Sequence, residues 1–281
     1  MLRSLFAAIS GLRVNQTMLD VTGNNIANAN TAGYKSSQTV FQDTLSQALT
    51  GASGPGNGRG GTNPIQVGLG VQLASTTTSF TQGSTQITNN PTDLMINGDG
   101  FFVTNNGSED VYTRAGAFRF DADGNLTTPD GNIVQGYMAD GQGNLGAGVG
   151  DIRLPAIVNQ GGANPLTSYS IGKDGMITGK FADGSQRSLA QVAVADFANP
   201  AGLEKIGSTS FRPSANSGGA QVGPPGTDRR GVLTAGSLEM SNVDLAQEFT
   251  NLIVAQRGFQ ASSRVITTSD QVLEELVNIK R

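Results

Sequence analysis

The chain begins with a helical stripe. Leu2, Leu5, Ile9, Leu12, Gln16, Leu19, Gly23 and Ile26 follow at alternating steps of three and four, and all but Gln16 and Gly23 are apolar, which predicts an amphipathic helix of about 25 residues. At a rise of about 1.5 Å per residue such a helix is longer than a small globular core covers. It exits through DVTGNNIANANTAGYK, residues 20 to 35, where Asn and Gly supply the left-handed conformations of a helix C-terminus and Gly33 suits a turn. The far end of the chain answers it. After SLEMSNVDLAQEF, in which Ser241 and Asp244 have capping-box-like spacing, Leu245, Leu252, Phe259, Ile266 and Leu273 recur every seven residues. Phe249 and Val277 take the companion position, shared with Gln256, Ser263 and Asp270, and a neighbouring stripe of Val265, Val272 and Ile279 widens the apolar arc. Lys280 and Arg281 place positive charge where a helix C-terminus favours it.

Between these helices the period changes. Residues 50 to 64, including SGPGNGRGGTNP, have no hydrophobic face and read as a loop or part of an extended arm. From about residue 70 to 236, short strand-like runs such as GDGFFVT, GNIVQGYMADG and LAQVAVADF are separated by turn signals. Asp-Gly pairs at Asp99, Asp123, Asp130, Asp140, Asp174 and Asp183 are candidates for hairpins or tight turns. A further coil, SANSGGAQVGPPGTDRR, leads back to the C-terminal helix. The expected class is α+β: N- and C-terminal helices forming one helical domain, residues 1–30 and 238–281, an extended linking arm over 31–75, and a central, mostly antiparallel β domain over 76–237.

Composition narrows the chemistry. The 281 residues suffice for one large domain or about two ordinary ones. Only 6% are aromatic and none is Trp, which argues against a dense aromatic core. A net charge of −4 supplies no general attraction to nucleic acid or anionic membrane. With neither Cys nor His, the chain has no disulfide framework, no thiolate zinc site and neither of the side chains that most metal sites and catalytic triads use. Polar residues interrupt the N-terminal apolar positions at helical spacing, so MLRSLFAAISGLR reads as part of the mature fold rather than a cleaved signal, and no run approaches the ~18 apolar residues of a membrane span.

Local motifs point to turns rather than reactions. GNGRGG at residues 56–61 has the spacing of a dinucleotide fingerprint but lies in polar coil, not between a strand and a helix. DADGN opens like a calcium loop, yet the sixth and twelfth positions, where an EF-hand needs Gly and Glu, hold Leu126 and Asn132. The acid pairs Glu109 with Asp110 and Asp121 with Asp123 sit near turns and read as solvated. In YTRAGAF, Tyr112 and Phe118 read as core residues of a strand. No catalytic, metal or cofactor site is expected, and the chain is not expected to be an enzyme. The terminal stripes carry the functional signal. The helices either pair within one monomer or leave apolar surface for neighbouring copies, which the width of the C-terminal arc favours.

SGLRVNQTMLDVTGNNIANANTAGYK, NGDGFFV, YTRAGAFRFDADGNL, FANPAGLEKIGSTSF and SNVDLAQEFTNLIVAQRGFQASSRVITTSDQVLEELVNIKR together resemble the bacterial flagellar rod and hook family, and within it a short hook protein. The resemblance implies an axial protein exported through the flagellar type III apparatus, with terminal helices lining an inner tube and β domains forming the outer shell. It implies partners among further copies of the chain and other axial proteins of the rod, hook cap and hook–filament junction, with no cofactor, nucleic acid or membrane insertion. FANPAGLEKIG and LVNIKR are hook-like, whereas the length also approaches that of a distal rod protein; a secreted β-rich binding module is the other class considered. On the hook reading, Leu2, Leu5, Ile9, Leu12, Leu19, Ile26, Leu245, Phe249, Leu252, Phe259, Ile266 and Leu273 are the subunit-interaction residues.

Overall fold

The computed structural model describes residues 2–54, 60–140, 143–154 and 166–279. Most of the GNGRGG motif, Gly141 of one Asp-Gly pair, and the terminal Lys280 and Arg281 lie outside the described residues. The chain forms two compact units: one of Met1–Ala27, Ser37–Thr78 and Asp244–Arg281, the other of Asn28–Ser36 and Ser79–Val243.

The first unit contains α1 (Leu2–Ala27) and α2 (Leu245–Ile279). The start of α2 is set by Asp244, whose Oδ1 accepts the backbone N–H groups of Ala246 at 2.9 Å and Gln247 at 3.3 Å. Ser241 Oγ accepts only the N–H of Val243, so the expected capping-box pairing is replaced by a single N-cap. Asp244→Ala should lower the stability of the helical unit by about 1 kcal/mol, read as earlier loss of helical circular dichroism on heating.

Three side-chain approaches define how the helices pair. Asn25 Nδ2 donates to Glu248 Oε1 at 3.0 Å, and a Cβ built on Gly258 or Gly11 would lie 2.6 Å from Asn15 Oδ1 or 3.1 Å from Ser262 Oγ. The residue numbers in each pair total 273, the signature of an antiparallel register in which residue i of α1 faces residue 273 − i of α2. The two glycines leave room for these polar side chains between the helices, since a Cβ at either would displace the Asn15 amide or the Ser262 hydroxyl.

An arm of two antiparallel strand pairs completes this unit. β1 (Ser37–Asp43) and β4 (Val71–Thr78) form its base, while β2 (Ser46–Thr50) and β3 (Ile65–Gly68) continue it outward. The base is tied to α1 at both ends: Asn25 brackets Ser37, accepting its N–H at 3.0 Å and donating to its carbonyl at 2.8 Å, and Ser10 Oγ accepts the N–H of Val71 at 3.2 Å.

The second unit carries β5 (Thr85–Ile87), β6 (Leu94–Asn97), β7 (Phe101–Asn105), β8 (Asp110–Thr113), β9 (Arg119–Phe120), β10 (Leu126–Thr127), β11 (Ile133–Ala139), β12 (Leu145–Asp151) and β13 (Leu166–Ile171). It continues with β14 (Met176–Phe181), β15 (Gln186–Val192), β16 (Val194–Asp196), β17 (Glu204–Gly207), β18 (Ser210–Arg212), β19 (Gln221–Gly223), β20 (Val232–Ala235) and β21 (Ser237–Glu239). Its main sheet runs β13-β14-β15-β11-β7-β8-β18-β17, every neighbouring pair antiparallel. Turns at Asp123-Gly124, Asp130-Gly131, Asp174-Gly175 and Asp183-Gly184 have their glycines at φ between 74° and 88°, the left-handed conformation that Gly adopts without strain. Asp99 departs from this pattern. It joins β6 and β7, which are not partners, and bridges instead to Arg230.

Successive side chains of a strand point to opposite faces, and the adjacent phenylalanines of GDGFFVT use this. Phe102 packs edge-on against Phe118 at 5.0 Å in a core with Leu94, Ile96 and Val134, whereas Phe101 packs against Phe197 at 5.7 Å in a second core with Tyr112 and Phe211. Tyr112 and Phe118 are thus both buried, on different sides. The low aromatic content does not prevent a dense aromatic core: few rings are present, but Phe80, Phe101, Tyr112, Phe197 and Phe211 are concentrated in one cluster. Gly116 is where backbone meets backbone, since a Cβ there would overlap the carbonyl of Leu94. Gly116→Ala should therefore cost roughly 3 kcal/mol in urea unfolding of this unit.

Candidate assembly interface

The sequence-predicted interaction residues divide by position. Leu5, Ile9, Leu12, Leu19 and Ile26 of α1, with Leu252, Phe259, Ile266 and Leu273 of α2, are half-buried; Leu245 and Phe249 are exposed, Phe249 by 51%. The side chain of Leu2 lies outside the described residues. On α1 the line nearest α2 consists not of the leucines but of Ala8, Gly11, Asn15, Thr22 and Asn25, with Leu5, Leu12 and Leu19 on its flank. On α2 the companion to the Leu252–Phe259–Ile266 line is Ala255, fully buried, with Ser262, three residues on rather than the four that Gln256 and Ser263 represent. The physical reason is distance. A pair held together through Gly11 and Gly258 is too close for leucines on its central line, so small and polar residues occupy it.

Much apolar surface is left over. Val277, in the companion position with Phe249, is 68% exposed, and the antiparallel register sets no residue of α1 (Leu2–Ala27) opposite it. The stripe Val265, Val272, Leu276 and Ile279 is exposed along another side of α2, reaching 81% at Ile279. On the arm, Leu45, Leu49, Ile65 and Val67 are all exposed. Single surface leucines are ordinary; contiguous stripes on both a helix pair and a hairpin are the mark of an interaction surface.

The β unit contains a charge cluster that the sequence did not disclose. Lys35 Nζ meets Glu239 Oε1 at 2.7 Å with both side chains fully buried, and Arg114 Nη1 approaches Glu239 Oε2 at 3.4 Å. Lys35 also donates to the carbonyl of Thr81 at 2.8 Å, and Glu239 Oε1 accepts the N–H of Gly83 at 2.9 Å. Burial pushes the Lys35 ammonium below the usual lysine range against the pull of Glu239, and it lowers Arg114 in the same way. The cluster pins the segment that follows α1 to the strand that precedes α2. Gly33 sits within it at φ 71°, where a Cβ would come 2.5 Å from the backbone nitrogen of Ala115. Only the separation of Lys35 and Glu239 along the chain hid this pair.

Among the described residues there is no group of three side chains that could hold a metal ion, and no helix long and apolar enough to cross a membrane.

Three segments of the chain match family models: residues 5–35 that of the flagella basal body rod protein, 95–179 the D1 domain of flagellar hook protein FlgE/F/G, and 234–279 the C-terminal part of flagellar basal body rod FlgEFG protein. Over all of both chains it is 46% identical to the flagellar basal-body rod protein FlgG of Bacillus subtilis (strain 168). The chain belongs to the flagellar rod and hook protein family. Other members include FlgG of Borreliella burgdorferi, 36% identical over 286 positions, and the hook protein FlgE of the same organism, 32% identical over 441, each alignment spanning both chains in full. This family member is a structural subunit of the flagellar axis, and the exposed helix and arm surfaces are its candidate contacts.

Proposed function

We propose that copies of this chain polymerise into a hollow helical segment of the flagellar axis that transmits torque. The observation that carries this is the unspent apolar surface of the helix pair: α1 and α2 already pack against each other, yet Phe249, Val265, Val272, Leu276, Val277 and Ile279 remain exposed. In the proposed tube the terminal helical domain, residues 1–30 and 238–281, forms the inner wall, the arm over 31–75 links it outward, and the β domain over 76–237 forms the shell. Leu5, Ile9, Leu12, Leu19, Ile26, Leu245, Phe249, Leu252, Phe259, Ile266 and Leu273 hold the wall together, directly or by shaping the helix pair. The subunit reaches its place through the flagellar type III apparatus and meets neighbouring rod, hook, cap and junction proteins.

Two places on the axis have support. The alignment with the Bacillus rod protein needs no long insertion, 282 positions for a chain of 281, whereas the hook alignment stretches to 441; this favours the distal rod. FANPAGLEKIG and LVNIKR favour the hook. Antibody-labelled electron microscopy of basal structures from the source cells separates them. Label on the straight axle supports the rod and label on the curved external segment the hook, while label on neither would end the axial proposal.

A further inference from the structure

The helix α2 outruns its partner. In the register set by Asn25 with Glu248, Asn15 with Gly258 and Gly11 with Ser262, Leu2 falls opposite Gln271, so residues 272–279 extend beyond the start of α1 for roughly 12 Å. Val272, Leu276 and Ile279 follow at steps of four and three, share one face, and are exposed. Glu275, three residues after Val272 and four before Ile279, borders that face.

The same unit offers a matching concavity. Between α1 and the β3–β4 part of the arm lies an open groove of about 580 Å³ whose apolar wall includes Phe6, Ile9, Val14, Leu69 and Leu73, with Arg13 on its α1 side. Phe6 is 67% exposed and Leu69 and Leu73 are exposed as well, so none of the described residues fills the groove. Its depth depends on the arm being clamped to α1. Val71 N–H donates to Ser10 Oγ, and Gly70, at φ 128°, leaves no room for a Cβ beside that serine.

Shape and charge agree. The overhang is an apolar ridge flanked by a carboxylate and the groove is an apolar trough flanked by a guanidinium, and neither Arg13 nor Glu275 enters an ion pair among the described residues. They cannot meet within one chain. Arg13 faces Gln260 in the helix register, so Glu275 lies fifteen residues farther along α2, roughly 22 Å away.

We propose that the α2 overhang of one copy, Val272–Ile279, seats in the α1–arm groove of the next, with Glu275 against Arg13. The proposal rests on assembly of copies of this chain and specifies which two surfaces meet. Ridge and groove are different patches, so the contact is heterologous: each copy keeps a free groove at one end and a free ridge at the other, and addition continues without closing into a dimer.

The chain has no cysteine, which makes cross-linking of the full-length protein selective. Leu73→Cys and Leu276→Cys chains, mixed in equal amounts, polymerised and oxidised, should give disulfide-linked dimers, and the doubly substituted chain should give ladders, because a disulfide forms only where the Cβ atoms come within about 4.5 Å. Arg13→Glu and Glu275→Arg should each raise the concentration needed for polymer about tenfold, and the two together should restore it to within about twofold. Polymer that forms with no cross-link between these positions and no response to either charge reversal overturns the ridge-and-groove contact while leaving assembly intact. A cross-link within dilute, unpolymerised chains would show that the ridge folds back on its own groove. Failure of the unsubstituted chain to polymerise at all would overturn the assembly reading beneath it.

Discussion

Glu239→Ala should cost the β unit about 3–5 kcal/mol. The substitution removes the carboxylate that pairs with both Lys35 and Arg114 and leaves two cations in a site where Lys35 and Glu239 are fully buried. It also takes the acceptor from the Gly83 N–H. Arg114 has little slack to absorb the loss, since its Nε already lacks a hydrogen-bond partner among the described residues. An intact buried pair is weak support for stability, but a broken one is costly, because desolvation of the survivor is no longer offset. Urea unfolding followed by tyrosine emission measures the change, as the chain contains four Tyr and no Trp. A loss below about 1 kcal/mol would mean that the two cations regain water at little cost and that the cluster does not hold residues 33–36 against β21.

Phe259→Asp should abolish polymerisation at concentrations where the unsubstituted chain assembles, raising the required concentration by at least about a hundredfold, or about 3 kcal/mol. Phe259 lies between Ala255 and Ser262 on the side of α2 that meets α1, one residue from the close contact at Gly258. A carboxylate there must either be desolvated or force the helices apart, and both outcomes spoil the surface presented to a neighbour. The β unit has its own two cores and should keep its unfolding midpoint in urea. Sedimentation of polymer and tyrosine-detected unfolding are read on the same preparation. Normal polymer from the variant would remove the helix pair from the assembly contact, and joint loss of polymer and β-unit stability would show that the units do not fold separately.

The elements easiest to foresee were those with strong local periodicity. The stripe from Leu2 to Ile26 foretold α1, observed as Leu2–Ala27, and the heptad of Leu245 to Leu273 foretold α2. Four of the Asp-Gly pairs sit in turns because Gly adopts positive φ wherever the neighbouring strands happen to lie. Strands β1 to β3 were harder. SQALT is exposed along its whole length, and SQTVFQD alternates but turns Ser37, Thr39 and Phe41 to its half-buried face and Val40 outward, so the alternation carries little apolar contrast. Asp99-Gly100 looked like any other turn signal, and only the partnering of β6 with β20 and of β7 with β8 shows that it joins strands that do not pair.

Periodicity and turn chemistry are properties of neighbouring residues, so the class, the two helices and the antiparallel middle could all be inferred without coordinates. The line of contact between the helices could not. The leucine stripe is the most apolar line on α1, but backbones that approach through Gly11 and Gly258 admit only small and polar groups between them, which turns the leucines to the flank. The Lys35–Glu239–Arg114 cluster and the α2 overhang were equally hidden, the first because its members lie far apart in the chain, the second because an overhang exists only once two helices have a register. Local sequence sets which elements form; the distances between elements, and therefore which residues are left to face another molecule, follow from packing alone.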